Sequence, residues 1–243
     1  MDGISIINLL FIFLGSFVAA AISAAAGFGG ALLLLPLLTR TIGTTMAVPV
    51  LTLAQLIGNL SRVSMGYKKI AWKPVLIFTA GAVPAAMLGA WSFVEVPKDM
   101  ATRIIGVAII IFVLLKYFKV IQFKPGNITM VLGGTLVGLL SGLIGSAGPI
   151  GAAIFLSLNL NPIAYISSEA VTATAMHVVK TFVYQKYIGI GIREVVIGLF
   201  MGLAMIFGTY LGKKFIENMP KDKFVKFVGV LLFIIGFQMI VFP

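Results

Sequence analysis

Long apolar stretches alternate with short polar ones along this chain, and their spacing predicts a bundle of membrane-crossing helices. Stretches of roughly 20 mostly apolar residues, enough to cross the hydrocarbon layer, run over about 4–25, 46–66, 74–94, 101–118, 127–144, 163–184, 194–212 and 223–242. Two shorter apolar pieces occupy about 29–39 and 149–158. A piece of about ten residues reaches only halfway across at 1.5 Å per residue, so half-helices are expected there. No run alternates as barrel strands do, and the loops are too short to hold a soluble domain. The expected fold is an all-α integral membrane protein with about eight spanning helices and two half-helices, forming one transmembrane domain over residues 1–243.

Each half-helix follows a break rich in small residues: Gly27-Phe28-Gly29-Gly30 and Gly145-Ser146-Ala147-Gly148-Pro149. Gly27 and Gly145 are 118 positions apart, and the same offset places Asn59 on His177 and Arg62 on Lys180. Further on, Val96-Pro97-Lys98-Asp99 is echoed by Met219-Pro220-Lys221-Asp222. The chain thus reads as two homologous repeats, about 4–120 and 127–243, joined at a Lys124-Pro125-Gly126 turn. Duplicated halves that each carry an interrupted hydrophobic helix mark a secondary transporter with its site between the repeats.

Charge gives the expected orientation. In the first half the richer loop is the earlier one, with Arg62, Lys68, Lys69 and Lys73. In the second half it is the later one, with Lys213, Lys214, Lys221, Lys223 and Lys226. Such a swap fits an inverted pair of repeats, with the Lys68 and Lys213 loops in the cytoplasm, although a parallel repeat remains open at this point.

Composition agrees with a bilayer location: 60% of the 243 residues are hydrophobic, 10% are charged, and mean hydropathy is +1.13. The net charge of +11 comes mostly from short loops. It therefore reads as orientation and attraction to anionic lipid headgroups, not as nucleic-acid binding. There is no cysteine, which removes thiolate and thiol-metal chemistry. One histidine cannot make a metal site alone, and no cofactor motif is present. The Met1-Asp2-Gly3 flank lacks the positive start of a secretory leader, so the alanine-rich run before Gly27 is expected to stay in the protein. Trp72, Tyr67, Trp91, Tyr117, Tyr184 and Tyr187 fall near span ends and are expected as interfacial anchors.

The candidate substrate-binding residues cluster around the breaks. Gly27, Gly29 and Gly30 permit unusual backbone angles and leave amide hydrogens at a helix start, where the dipole favours negative charge. Gly145, Ser146, Ala147 and Gly148 do the same, with a hydroxyl added and Pro149 suited to the first helical turn. Close packing explains Gly81, Ala85, Gly89, Gly134, Gly138 and Gly142 better. After the second break, Glu169, Thr172, His177 and Lys180 share one broad helical face; after the first, Gln55, Asn59 and Arg62 do. Ionisable groups inside a span are costly unless they face protein or water, so these are site candidates. Glu169 and His177 are also the candidates for carrying a coupled proton. The competing reading for Lys180 and Glu169 is that they snorkel to opposite interfaces. Two cations with several neutral donors around two helix starts predict an electropositive cavity and a small anionic substrate.

Together, the two interrupted helices, Gly27-Phe28-Gly29-Gly30 with Pro36, and Gly145-Ser146-Ala147-Gly148 with Thr172 and Thr174, resemble the TauE/SafE family of sulfite exporters and sulfonate permeases over essentially the whole chain. The second break departs from the family's fuller glycine pattern at Ser146, Ala147 and Pro149. The resemblance implies export of sulfite, organosulfonates or related anions across the cell membrane, by alternating access and with proton coupling. An ion channel or divalent-cation permease is the alternative, and Glu169 is its only intramembrane acid. The chain has no Walker A, zinc-protease or nucleophile-elbow motif, so an enzyme is not expected.

Overall fold

The computed structural model describes residues 6–28, 30–94, 125–145 and 147–241, with isolated helical positions at 103, 107, 110, 111 and 114. Nine α-helices of at least ten residues lie among the described residues: α1 (Ile6–Ala26), α2 (Gly30–Ile42), α3 (Thr44–Gly66), α4 (Trp72–Trp91), α5 (Asn127–Ile144), α6 (Gly148–Ser157), α7 (Pro162–Tyr187), α8 (Ile192–Ile216) and α9 (Lys221–Val241). No strand occurs among them. Five helices (α1, α3, α4, α5 and α8) are long and apolar enough to cross a membrane. The short pieces expected after the breaks are helices of 13 residues, α2, and 10 residues, α6. The stretch expected over 101–118 lies largely outside the described residues, as does the Val96-Pro97-Lys98-Asp99 segment.

Close approach of backbones organises the packing. Lipid offers no hydrophobic drive for one apolar helix to leave it for another, so tight contact depends on small residues. On α5, Gly134 and Gly138 face the carbonyl oxygens of Phe78 and Ala82 on α4, and Gly142 lies against Ala86 and Ala90. From α4, Gly81 and Gly89 face the carbonyls of Val131 and Leu139. The α1–α8 pair uses the same device, with Gly208 and Gly212 against the Phe17 and Ala21 carbonyls. A Cβ at Gly138 would fall inside the contact distance of the Ala82 oxygen. Gly138→Ala should therefore cost about 1–3 kcal/mol through overpacking. Gly229→Ala is the control, because nothing lies within 4 Å of that position. Thermal unfolding of the purified protein compares the two, and equal midpoints would contradict this account of the interface.

The remaining contacts follow from that pairing. α3 and α7 pack along each other in opposite directions: Gly66 at the end of α3 meets Ile163 and Ser167 at the start of α7. At the same end, the Ala71 N–H donates to Ser168 Oγ at 2.9 Å. At the other end, Val48, Ala90, Phe93, Tyr184 and Ile190 form one apolar cluster. Lys68, Lys69 and Lys73 thus share an end of the bundle with Lys213 and Lys214, while Lys186 and Arg193 lie at the opposite end. Exposed Tyr67 and Trp72 ring the first end, and exposed Trp91 and Tyr187 the second. The 20 residues of α4 between its two tryptophans rise about 30 Å, the thickness of the hydrocarbon layer.

Tyr184 departs from expectation. It is not an interfacial anchor but is fully buried, and its hydroxyl donates to the Gly142 carbonyl at 3.0 Å. Its ring fills space beside Phe93, 5.5 Å away centre to centre, and its hydroxyl then needs an acceptor within the protein. Tyr117 lies outside the described residues.

Candidate functional site

Both breaks are built the same way. Gly27 has φ 85° and Gly145 has φ 83°, left-handed conformations that end α1 and α5. Side chains are rarely tolerated there, so glycine is what lets each helix stop and the next one start at a new angle. α2 begins at Gly30 and α6 at Gly148, with Pro149 in its first turn. Neither helix has an acidic residue in that turn, and α6 has no side-chain cap. The positive ends of both are therefore uncompensated by carboxylates of their own. The breaks meet: a Cβ on Gly148 would stand 3.5 Å from Phe28 Cβ.

Between them is a buried cavity of about 50 Å³. One water needs about 10–15 Å³ by this measure, so the space suits a few waters or one small oxyanion. Gly27, Gly30, Gln55, Asn59, Arg62, Gly145, Ala147, Gly148, Glu169, Thr172 and His177 line it. Gly29 and Ser146 fall outside the described residues. The cavity lies between two apolar clusters: Ile12, Leu34, Leu38 and Met201 belong to one, and Phe78, Val137, Phe155 and Tyr165 to the other.

The electrostatics differ from the expected pair of cations facing a ligand. Arg62 Nη1 donates to Glu169 Oε2 at 3.1 Å and to the Ser23 carbonyl at 3.3 Å, while Nη2 donates to Asn59 Oδ1. Both members of the ion pair are buried, so neither snorkels. Thr172 Oγ1 donates back to the Glu169 carbonyl at 2.8 Å. Lys180 is fully buried and is not among the residues that line the cavity. Its Nζ donates to Ser141 Oγ at 2.9 Å and to the carbonyls of Ser141 and Gly145, each at 3.3 Å. A cation there satisfies the negative end of α5, where the broken helix leaves carbonyls without partners.

His177 is different again. It is 5% exposed and lines the cavity, yet its Nδ1 has no hydrogen-bond partner among the described residues. A buried polar atom left unpaired costs about 1–3 kcal/mol. That cost is removed if a ligand in the cavity supplies the partner.

Other participants escape a reading that looks only for charged and amide side chains. Ser23 and Ser141 are 118 positions apart, and the carbonyl of each accepts from the cation at the matching place, Arg62 and Lys180. The 118-residue offset between the two glycine breaks was the signal that could have found them. Tyr165 holds the two breaks together, with its hydroxyl 2.9 Å from the Ala26 carbonyl and 3.3 Å from that of Ala152. Its value lies in its position alone, and nothing in the local sequence announces it.

The family model described as sulfite exporter TauE/SafE matches residues 12–239 of this chain. No curated protein and no solved structure matches it.

Proposed function

Because the chain belongs to the sulfite exporter TauE/SafE family, we propose that it is a secondary carrier in the cell membrane that exports small sulfur oxyanions, sulfite or a compact organosulfonate, by alternating access. The observation that carries this reading is the convergence of two left-handed glycine breaks and the buried His177 side chain on one cavity, with His177 Nδ1 unpartnered among the described residues. Helix starts attract anions, and the unpaired imidazole gives one of the oxygens a partner.

The repeats are proposed to be inverted. Elements 118 positions apart make matching contacts: α1 packs on α8 and α5 on α4, while α3 and α7 lie antiparallel at the centre. This is the arrangement expected from a two-fold axis in the membrane plane. On the same reading, the end that carries Lys68 and Lys213 is cytoplasmic. Alternating access then amounts to rocking of the repeats about the cavity. Glu169 and His177 are the groups on which a coupled proton would ride, since Glu169 holds Arg62 and a proton on its carboxylate loosens that hold.

Flux of labelled sulfite in proteoliposomes tests the proposal. Uptake or release that saturates, responds to an imposed proton gradient and falls at least tenfold in His177→Ala is expected. No flux above protein-free vesicles under either gradient direction would refute it.

A further inference from the structure

We propose that the cavity accepts one unit of negative charge, so that it takes a small monoanion in preference to a dianion of the same size. This rests on the anion-carrier reading above and specifies the substrate class. Among the described residues, three charged side chains act on the cavity: Arg62 and Glu169 line it, and Lys180 stands directly behind its wall. Arg62 and Glu169 are ion-paired and cancel. Lys180 has no carboxylate within salt-bridge distance among the described residues; its partners are Ser141 and Gly145, both cavity-lining. Each break also contributes one negative and one positive helix end, of roughly half a charge each, which offset one another. Before a coupled proton is taken up on Glu169 or His177, the sum is a single positive charge, carried by Lys180.

The second observation is His177. Its side chain is buried and lines the cavity, and its Nδ1 is unpartnered among the described residues. One neutral imidazole can donate or accept a hydrogen bond, but it does not balance a second charge. A dianion would therefore enter with one charge unmatched among buried side chains, where the penalty is larger than in solvent. A monoanion of similar shape avoids it.

The experiment uses two probes whose charges are fixed at neutral pH, methanesulfonate and sulfate. Their binding to the purified full chain in detergent is measured by calorimetry. Wild type should bind methanesulfonate at least about tenfold more tightly than sulfate. Glu169→Gln keeps the side-chain shape and raises the net charge by one, so the ratio should fall by about tenfold or invert. Arg62→Gln with Glu169→Gln restores the original sum and should restore the preference for methanesulfonate, even though the ion pair is gone.

Equal or tighter sulfate binding in wild type, or a ratio unmoved by Glu169→Gln, would overturn the charge count while leaving an anion carrier intact. If neither probe nor sulfite binds folded wild-type protein, the carrier reading fails with it.

Discussion

Arg62→Ala is expected to destabilise the protein by about 3–5 kcal/mol, because it leaves the Glu169 carboxylate buried without its cation. Arg62 also holds Asn59 Oδ1 and the Ser23 carbonyl, so the first break loses its tie to α3 in the same step. Removing both charges should cost much less. Arg62→Ala with Glu169→Ala is expected to recover most of the lost stability, since breaking a buried pair is worse than deleting it. Transport should not return, because the cavity wall that the two side chains form is gone. Thermal unfolding and sulfite flux on wild type and the two variants separate these effects. A double variant as unstable as Arg62→Ala would show that the cost lies in lost packing, not in the stranded charge.

Gly27→Ala should cost about 2–5 kcal/mol, from two causes that can be measured apart. The φ of 85° strains any residue with a side chain by roughly 1–2 kcal/mol. The added Cβ would also stand 2.6 Å from Tyr165 Cε1. That ring is 1% exposed and tied by its hydroxyl to Ala26 and Ala152, so it cannot swing away, and overpacking adds about 1–3 kcal/mol. Gly189, which also follows a helix end, supplies the comparison, with φ 76° and nothing within 4 Å. Gly189→Ala should show the backbone strain alone. Adding Tyr165→Leu to Gly27→Ala should bring its cost down toward the Gly189→Ala value. Equal unfolding midpoints for Gly27→Ala and Gly189→Ala would mean that Tyr165 does not clamp the break.

Much of the fold was legible because bilayer physics leaves few choices. A run such as 127–144 is both long enough and apolar enough to commit to one structure, and the structure places α5 over Asn127–Ile144. The short pieces announced themselves by length, and the breaks by glycine. The packing role of Gly134, Gly138 and Gly142 was equally readable, since small residues spaced one helical turn apart serve close approach.

The candidate site was legible as a neighbourhood and not as a set of bonds. Residue type and helical face brought Asn59, Arg62, Glu169 and His177 together, and all four line one cavity. The sequence could not show that Glu169 takes up Arg62, because pairing across 107 positions depends on how α3 and α7 cross. Nor did it separate the matched cations. Arg62 reaches the cavity, whereas Lys180 turns toward Ser141 and Gly145. Positions 62 and 180, 118 residues apart, carry different side chains, and the fork of arginine has more partners to serve.

The most direct test of an anion held between the two breaks is to locate one. Selenite has the shape of sulfite and a strong anomalous signal, so crystals of the protein soaked in selenite report its position without ambiguity. One peak is expected between the starts of α2 and α6, within hydrogen-bond distance of the His177 imidazole. A peak elsewhere, with this cavity empty in protein that transports selenite, would contradict it.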